Sequence, residues 1–378
     1  MCPMLRKLAG TALLATCAAL APAAHAQDEL VVESIQSSTG PLAYGGVPFQ
    51  NSIRLAFEEV NARGGIHGAK VKLIERDNGS DKGQSINLAN QAVDRDRAIL
   101  VLGPTSTTDA MAVAPLFADK RTPNLHSGMS DAVLKVGGTW SMKFQQSPTM
   151  VTAVVAQYAR EKMSIRKVAL VFDRSNETWI DSKNSFRDPF KAAGGTVVAE
   201  EAIVTADSNF QPLATKLKTQ DIDAIYLATF PEQSANIIVQ LRQAGVPEKV
   251  RFIGAVGMVS PKFLAAVGKA GEGAVAVSDH VIGLDRPLNK AFEAAYQARY
   301  GIEPDSWAAV GYTQGLLAIA TLQEAGPKPT RQAVHDAFLR IKDVPILGGS
   351  GLWNQKDRKP EFGAVVLTVK DGKFVVAP

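Results

Sequence analysis

Cysteine is nearly absent from this sequence of 378 residues, and neither sign of charge dominates it. Both cysteines, Cys2 and Cys17, lie near the start, so the chain beyond them has neither disulfide nor thiol chemistry. The 41 basic and 37 acidic residues are interspersed and leave a net charge of +4, which does not favour binding to nucleic acid or to an anionic membrane. Beyond the N-terminal segment, no apolar run approaches the length of a membrane span.

Sequence motifs of metal, nucleotide and hydrolytic sites are also missing. No His-Glu-x-x-His, Gly-x-Gly-x-x-Gly, P-loop or Gly-x-Ser-x-Gly pattern occurs. The neighbours His126 and Ser127 are therefore not expected to form a catalytic pair. Asp77–Asp81 lacks the terminal glutamate of an EF-hand loop and is expected to be a turn. The sequence predicts no catalytic residue, no metal site and no cofactor.

The first 26 residues have the pattern of a secretory signal peptide. Arg6-Lys7 precedes the apolar stretch Leu8–Leu20, and Ala24-His25-Ala26 has the small residues of a cleavage site. We therefore expect the protein to be exported and residues 1–26 to be removed, so that they form no part of the predicted fold. Lipidation of Cys17 is the alternative, although a threonine is unfavourable before such a cysteine.

The remaining chain alternates apolar runs with helical patterns, which predicts an α/β protein with two Rossmann-like lobes and parallel-rich sheets. Short crossings near 144–147, 278–283 and 347–351 are expected to join the lobes, which would comprise 27–144 plus 279–347 and 145–278 plus 348–378. A long helix is predicted from about Pro48. The predicted strands are Leu30–Ile35, Val71–Glu75, Ala98–Leu102, Val168–Phe172, Thr196–Val204, Ala224–Ala228, Arg251–Gly254 and Ala364–Lys370.

Two polar loops follow neighbouring apolar segments in the first half of the chain. Thr105–Thr108 offers four hydroxyl groups between a predicted strand and a helix, and Ser127–Ser130 follows the next apolar segment. Hydroxyl groups at a helix start cap the helix, while its free N–H groups and dipole attract an anion. Capping alone is the alternative for the first loop. Both loops together favour a small-molecule carboxylate site at the carboxyl ends of the strands.

Several motifs spaced along the chain agree with one known family. They include Thr39–Ala43, Glu58–Gly68, Gly103-Pro104 and Ala112–Pro115. With these motifs the sequence resembles the periplasmic leucine/isoleucine/valine-binding proteins, receptors of branched-chain-type ABC importers with the type I periplasmic binding fold. The resemblance implies a three-crossing hinge, a small-molecule ligand between the lobes, an inner-membrane ABC permease as partner, a periplasmic location and a monomer. A ligand sensor that reports to a receptor without transport is the alternative.

The resemblance also assigns ligand contacts by motif position. Hydroxyl groups and backbone N–H groups of the first lobe would bind a ligand carboxylate, and aromatic side chains would close over its apolar body. The implied ligand-contacting residues are Tyr44, Ser106, Thr107, Gly128, Ser130, Trp179, Phe230 and Val256.

Val256 departs from the family pattern and changes the expected ligand. Relatives that bind amino acids have an acidic residue near this position, which pairs with the ligand ammonium. A buried ammonium without such a partner costs several kcal/mol. The hypothesis is therefore a carboxylate ligand with an apolar or aromatic body and no α-ammonium. Alternatively, Glu177, Glu232 or Asp279 reaches the ammonium.

Overall fold

Two sheets with helices packed against them organise the protein. The computed structural model describes residues 29–280, 282–353, 355–356, 359–360 and 363–378. The predicted signal peptide, with both cysteines, lies outside these residues. Strands and helices alternate as the apolar pattern predicts, and the expected α/β class with parallel-rich sheets is confirmed.

The first sheet is parallel throughout its described strands, in the order β2-β1-β3-β4-β5. Its central strand β3 is buried along its whole length, in accordance with its continuous apolar sequence. The strands are β1 (Glu29–Gln36), β2 (Lys70–Asp77), β3 (Leu100–Leu102), β4 (Asn124–His126) and β5 (Ser141–Lys143).

The second sheet has the order β16-β15-β10-β9-β8-β6-β7, and β15 and β16 join it as antiparallel strands. The apolar pattern of the sequence predicted neither β16 nor the antiparallel pairing of β15. Its strands are β6 (Lys167–Asp173), β7 (Thr196–Ile203), β8 (Ala224–Ala228), β9 (Arg251–Gly254), β10 (Val275–Ser278), β15 (Val365–Lys370) and β16 (Lys373–Val376). Two small antiparallel pairs complete the strands: β11 (Val344–Pro345) with β12 (Leu352–Trp353), and β13 (Gln355–Lys356) with β14 (Lys359–Pro360).

Helices cover both sheets. None of those in the described part of the chain is both long and apolar enough to cross a membrane. They are α1 (Ala43–Ala62), α2 (Lys82–Asn90), α3 (Thr107–Asp119), α4 (Ala132–Gly137), α5 (Pro148–Glu161), α6 (Glu177–Ala192), α7 (Gln211–Leu217), α8 (Pro231–Gln243), α9 (Pro261–Val267), α10 (Pro287–Tyr300), α11 (Ser306–Glu324) and α12 (Arg331–Arg340).

Helix α1 begins at Ala43, five residues before the predicted start at Pro48. The N–H group of Ala43 donates to the carbonyl of Gly40, and those of Gly45 and Gly46 donate to the carbonyl of Leu42. These bonds start the helix before Pro48, which therefore lies inside α1, where it has no N–H to donate to the carbonyl of Tyr44. The first turn of α1 therefore carries Tyr44.

Helices α10 to α12 return to the first sheet after the chain has built most of the second. Helix α11 packs so closely on α1 that a Cβ atom at Gly311 would lie only 2.6 Å from the Cα of Phe49. The buried aromatic residues Phe292, Tyr312 and Phe338 of the returning helices join the same apolar core as Phe57 of α1. The apolar core beside the first sheet is thus built from two separate parts of the chain.

The segment that follows the predicted boundary at 347/348 still packs on the core beside the first sheet. Strand β12 pairs with β11, and Trp353 is fully buried against Phe338 in the first-lobe core. Burial of this large ring holds the segment on the first lobe. We therefore propose the predicted division into lobes, with the third crossing placed beyond Trp353.

Candidate functional site

A cavity lies between the two sheets, and most of its lining residues directly follow strands of one sheet or the other. Parallel strands bring such residues to one edge, which is where open α/β sheets hold ligands. The cavity encloses about 460 Å³ of space free of protein atoms, part of it open to solvent. Its lining residues are Leu42, Tyr44, Gly45, Thr105, Ser106, Thr107, Ser127, Met129, Gln145, Asn176, Thr178, Trp179, Phe230, Val256 and Trp307.

The cavity lining includes six of the eight residues that the family resemblance assigned to the ligand. Gly128 and Ser130 are not part of the lining but flank it in the loop after β4. At Gly128 a Cβ atom would lie 3.1 Å from the Cα of Thr107, so this glycine lets the loop pack closely on the start of α3. The six lining residues are Tyr44, Ser106, Thr107, Trp179, Phe230 and Val256.

Hydroxyl groups of Thr107 and Ser130 join the two lobes. Thr107 Oγ1 and Thr178 Oγ1 share a hydrogen bond of 2.6 Å, and Ser130 Oγ donates to Asp181 Oδ2 at 2.5 Å. Thr107 Oγ1 also accepts from the backbone N–H of Met129 at 3.0 Å. The Ser130 hydroxyl proton is therefore already used by a protein carboxylate. In this conformation Ser130 does not offer that proton to a ligand anion.

Other groups at the start of α3 keep donors available. Ser106 Oγ accepts from Asp109 N at 3.0 Å, as predicted for a helix cap, and the Ser106 hydroxyl also interacts with the buried carboxyl of Asp109. The buried hydroxyl of Ser127 has no hydrogen-bond partner among the described residues. The N–H groups of Thr107 and Thr108 lie in the first turn and have no partner within the helix. An anion at this point would meet donors together with the positive end of the helix dipole.

Aromatic rings from both lobes form the apolar wall of the cavity. Tyr44 lies edge-on to Trp307 on the first lobe and to Phe230 on the second, with ring centroids 5.2 and 6.3 Å apart. Trp179 lies edge-on to Phe230 at 5.4 Å. The indole N–H groups of Trp179 and Trp307 are buried without an acceptor in the described part of the chain. This wall suits a flat or branched apolar group.

Sequence reasoning missed several lining residues, including Trp307. Trp307 stands in the first turn of α11, far along the chain, so only tertiary packing brings it to the cavity. Thr178 and Gln145 follow β6 and β5, so the strand-end rule that selected Ser106 could have found both.

The three acidic residues considered for an ammonium differ in position. Glu232 pairs with Lys262 at 3.3 Å, and both side chains are about half exposed. Glu177 does not line the cavity. Asp279 is buried and lines a smaller cavity that shares Gln145 and Val256 with the main one. Burial raises the pKa of the Asp279 carboxyl to about 6.

Histidine chemistry is not supported at this site. Burial lowers the pKa of His126 to about 3, so its ring is neutral at physiological pH. No group of three or more His, Cys, Asp or Glu side chains within the described ranges could hold a metal ion.

Replacing Thr107 with valine tests the contact between the lobes. We expect Thr107→Val to lower the free energy of unfolding by about 1–3 kcal/mol, because the buried N–H of Met129 loses its acceptor. Thr178→Val removes only the hydroxyl-to-hydroxyl bond, so a smaller loss of about 1 kcal/mol is expected. Urea unfolding of both variants measures the difference. Equal losses would show that Thr107 does not hold the loop after β4.

Known proteins resemble this chain along nearly its whole length. The sequence profile described as periplasmic binding protein matches residues 34–373. The Leu/Ile/Val-binding protein BraC3 of Rhizobium johnstonii is 26% identical over 371 residues, covering 97% of this chain and 98% of that protein.

Two solved structures share the fold. One is the branched-chain amino acid transporter substrate-binding protein LivJ of Streptococcus pneumoniae in complex with isoleucine, with a TM-score of 0.84 and 24% identity. The aligned region covers 92% of this chain and 98% of the LivJ chain. The other is a solute-binding protein of an ABC transporter from Rhodopseudomonas palustris BisB5 in complex with 3,4-dihydroxy benzoic acid, with a TM-score of 0.82 and 22% identity. The aligned region covers 92% of this chain and 95% of that solute-binding protein. The expected type I periplasmic binding fold is thereby confirmed.

Proposed function

Since this chain belongs to the periplasmic binding protein family, we propose that it captures a small carboxylate ligand between its lobes and delivers it to an inner-membrane ABC permease. Family membership implies a periplasmic location, and the related proteins are binding proteins rather than enzymes. The proposed receptor works as a monomer and is exported through the signal peptide of residues 1–26. The observation that carries the proposal is a cavity with anion-binding groups on one lobe and aromatic rings from both.

The start of α3 is the proposed carboxylate site. Ser127 supplies a hydroxyl donor, and the first turn of α3 supplies free N–H groups. These donors lie on the first lobe, which can therefore bind the carboxylate before the second lobe approaches. Thr107 contributes its backbone N–H while its hydroxyl contacts the opposite lobe.

The aromatic wall supports an apolar body for the ligand. Tyr44 and Trp307 belong to the first lobe, and Trp179 and Phe230 to the second. The isoleucine and 3,4-dihydroxybenzoate bound by the two structural relatives each combine a carboxylate with a largely apolar body. We propose a ligand of this class, either a branched-chain amino acid or an apolar or aromatic acid without an ammonium.

Closure of the lobes couples binding to delivery. A ligand that contacts Trp179 and Phe230 as well as the start of α3 gains its full binding energy only when both lobes meet. Such a ligand shifts the population toward the closed form because its affinities for the two forms differ. The hydrogen bond between Thr107 and Thr178 then further stabilises the closed form.

Mass spectrometry of small molecules released by denaturing the purified protein identifies the ligand. We expect a carboxylic acid with an apolar body. Incubation of that acid with the protein should return it unchanged, whereas conversion would show an enzyme. Release of a phosphorylated compound or a sugar in stoichiometric amount would contradict the proposal.

Thermal unfolding provides an independent measurement. At 100 times its dissociation constant, the ligand should stabilise the protein by about 2.7 kcal/mol. For a protein of this size that corresponds to a rise in Tm of several degrees. Measurements with leucine, benzoate and a sugar as control test the chemical class of the ligand. Stabilisation by the sugar but by neither acid would exclude the carboxylate site.

A further inference from the structure

We propose that Lys143 couples ligand binding to closure by tying the loop of residues 127–131 to the first passage between the two sheets. Lys143 ends β5 of the first sheet, and α5 begins five residues later and packs on the second sheet. The loop follows β4 and contributes Ser127 and Met129 to the cavity lining. This inference rests on the proposed function and adds a positioning residue to it, since Lys143 does not itself line the cavity.

The side chain of Lys143 is fully buried and is held by three acceptors. Its ammonium donates to Ser147 Oγ at 2.9 Å, to Asp131 Oδ1 at 2.8 Å and to the carbonyl of Met129. A lysine ammonium has three protons, so each of them has an acceptor. Burial of a charge is unfavourable unless the charge is paired and hydrogen-bonded, and both conditions are met here. Lys143 is therefore fixed in one position, from which it holds three neighbours.

Ser147 connects this network to the second sheet. It stands at the N-cap position of α5, where a serine side chain usually accepts from the helix backbone, but its hydroxyl makes no such bond. The hydroxyl donates instead to Asp131 Oδ1 at 2.6 Å and accepts from Lys143. Rotation of one sheet relative to the other about residues 144–147 would move Ser147 away from Asp131. The network therefore holds the passage at one angle.

The loop of residues 127–131 also carries contacts on its other side. The N–H group of Met129 donates to Thr107 Oγ1, and the hydroxyl of Ser130 donates to Asp181 of α6, which packs on the second sheet. Met129 thus has its N–H bonded to the start of α3 and its carbonyl bonded to Lys143. A ligand that contacts this loop in the cavity therefore acts on the passage between the sheets as well.

Ser147→Ala is the smallest change that tests this coupling. It removes both bonds of the hydroxyl and leaves the ion pair between Lys143 and Asp131. We expect binding to weaken about three- to tenfold through faster dissociation, because only the closed form loses these bonds. The probe is leucine or benzoate, whichever binds the wild-type protein more tightly. Calorimetry measures the affinity, and stopped-flow tryptophan fluorescence measures the association and dissociation rates.

Lys143→Met removes the whole network, and Lys183→Met is its matched control. Lys183 is also buried and pairs with Glu200 at 2.8 Å, but it lies on α6 and does not line the cavity. Both substitutions should lower the Tm. Only Lys143→Met should weaken binding of the probe, by about tenfold or more. It should also reduce the decrease in radius of gyration that a saturating probe causes, measured by small-angle X-ray scattering.

The outcomes separate this inference from the proposed function. Wild-type affinity and dissociation rate in Ser147→Ala would overturn the coupling and leave the receptor function standing. Equal losses of affinity in Lys143→Met and Lys183→Met would show that the buried lysine only stabilises the fold, which would overturn the coupling too. Failure of both leucine and benzoate to bind the wild-type protein would contradict the proposed ligand class, on which the coupling rests.

Discussion

Replacing Trp179 with alanine is expected to weaken ligand binding by about a hundredfold or more, measured by calorimetry with the ligand released from the native protein. The Trp179 ring is 3% exposed, lies edge-on to Phe230 and lines the cavity from the second lobe. Its removal takes away the surface that meets the ligand when the lobes close. The first lobe keeps the proposed carboxylate site at the start of α3, so weak residual binding is expected.

The Trp179 ring packs directly against Gly257. A Cβ atom at Gly257 would lie 2.4 Å from Cη2 of Trp179, which is closer than real Cβ contacts allow. Gly257→Ala should therefore displace the ring and weaken binding while the indole remains. Loss of affinity in both Trp179→Ala and Gly257→Ala would show that binding needs the indole ring in its native position.

Trp353→Ala is the matched control for Trp179→Ala. Trp353 is fully buried against Phe338 in the first-lobe core and does not line the cavity. Both substitutions should lower the free energy of unfolding by about 3–5 kcal/mol, as large core truncations do. Only Trp179→Ala should also reduce affinity. Equal affinity in the two variants, measured below their unfolding temperatures, would show that Trp179 does not contact the ligand.

Residues that directly follow strands could be predicted from the sequence. Strand β3 is a continuous apolar run, so the hydroxyl groups after it had to lie at a sheet edge, and Ser106 and Thr107 do line the cavity. Trp179 and Phe230 were found because the family resemblance assigned an aromatic residue to each of these loops. Both kinds of signal are local, since each needs only the end of one strand.

Contacts between distant segments could not be predicted in the same way. Trp307 reaches the cavity because α11 packs on α1. The hydroxyl of Ser130 was expected to bind the ligand, but Asp181 from the other lobe accepts its proton. Each of these facts depends on which elements become neighbours, and periodicity along the chain carries no information about that.

Replacing Gly103 with alanine is expected to lower the free energy of unfolding by more than about 3 kcal/mol. Gly103 ends β3 with a φ of +92°, and a Cβ atom there would lie 2.0 Å from the carbonyl oxygen of Ile35 on β1. Its N–H donates to the carbonyl of Leu125 on β4 at 3.0 Å, so the residue is held between two strands. The backbone must move to admit a methyl group. That movement would displace the loop carrying Ser106.

Gly245→Ala separates the two causes of this instability. Gly245 has a φ of +89° and no atom within 4 Å of its would-be Cβ, so alanine there suffers only the strain of a left-handed backbone, about 1–2 kcal/mol. Thermal unfolding measures the loss of stability in each variant. The additional loss in Gly103→Ala is the contribution of steric overlap. Ligand-induced stabilisation should be lost in Gly103→Ala and kept in Gly245→Ala. If the two variants lost the same stability and both kept the ligand response, close packing against Ile35 would not be what positions the anion-binding loop.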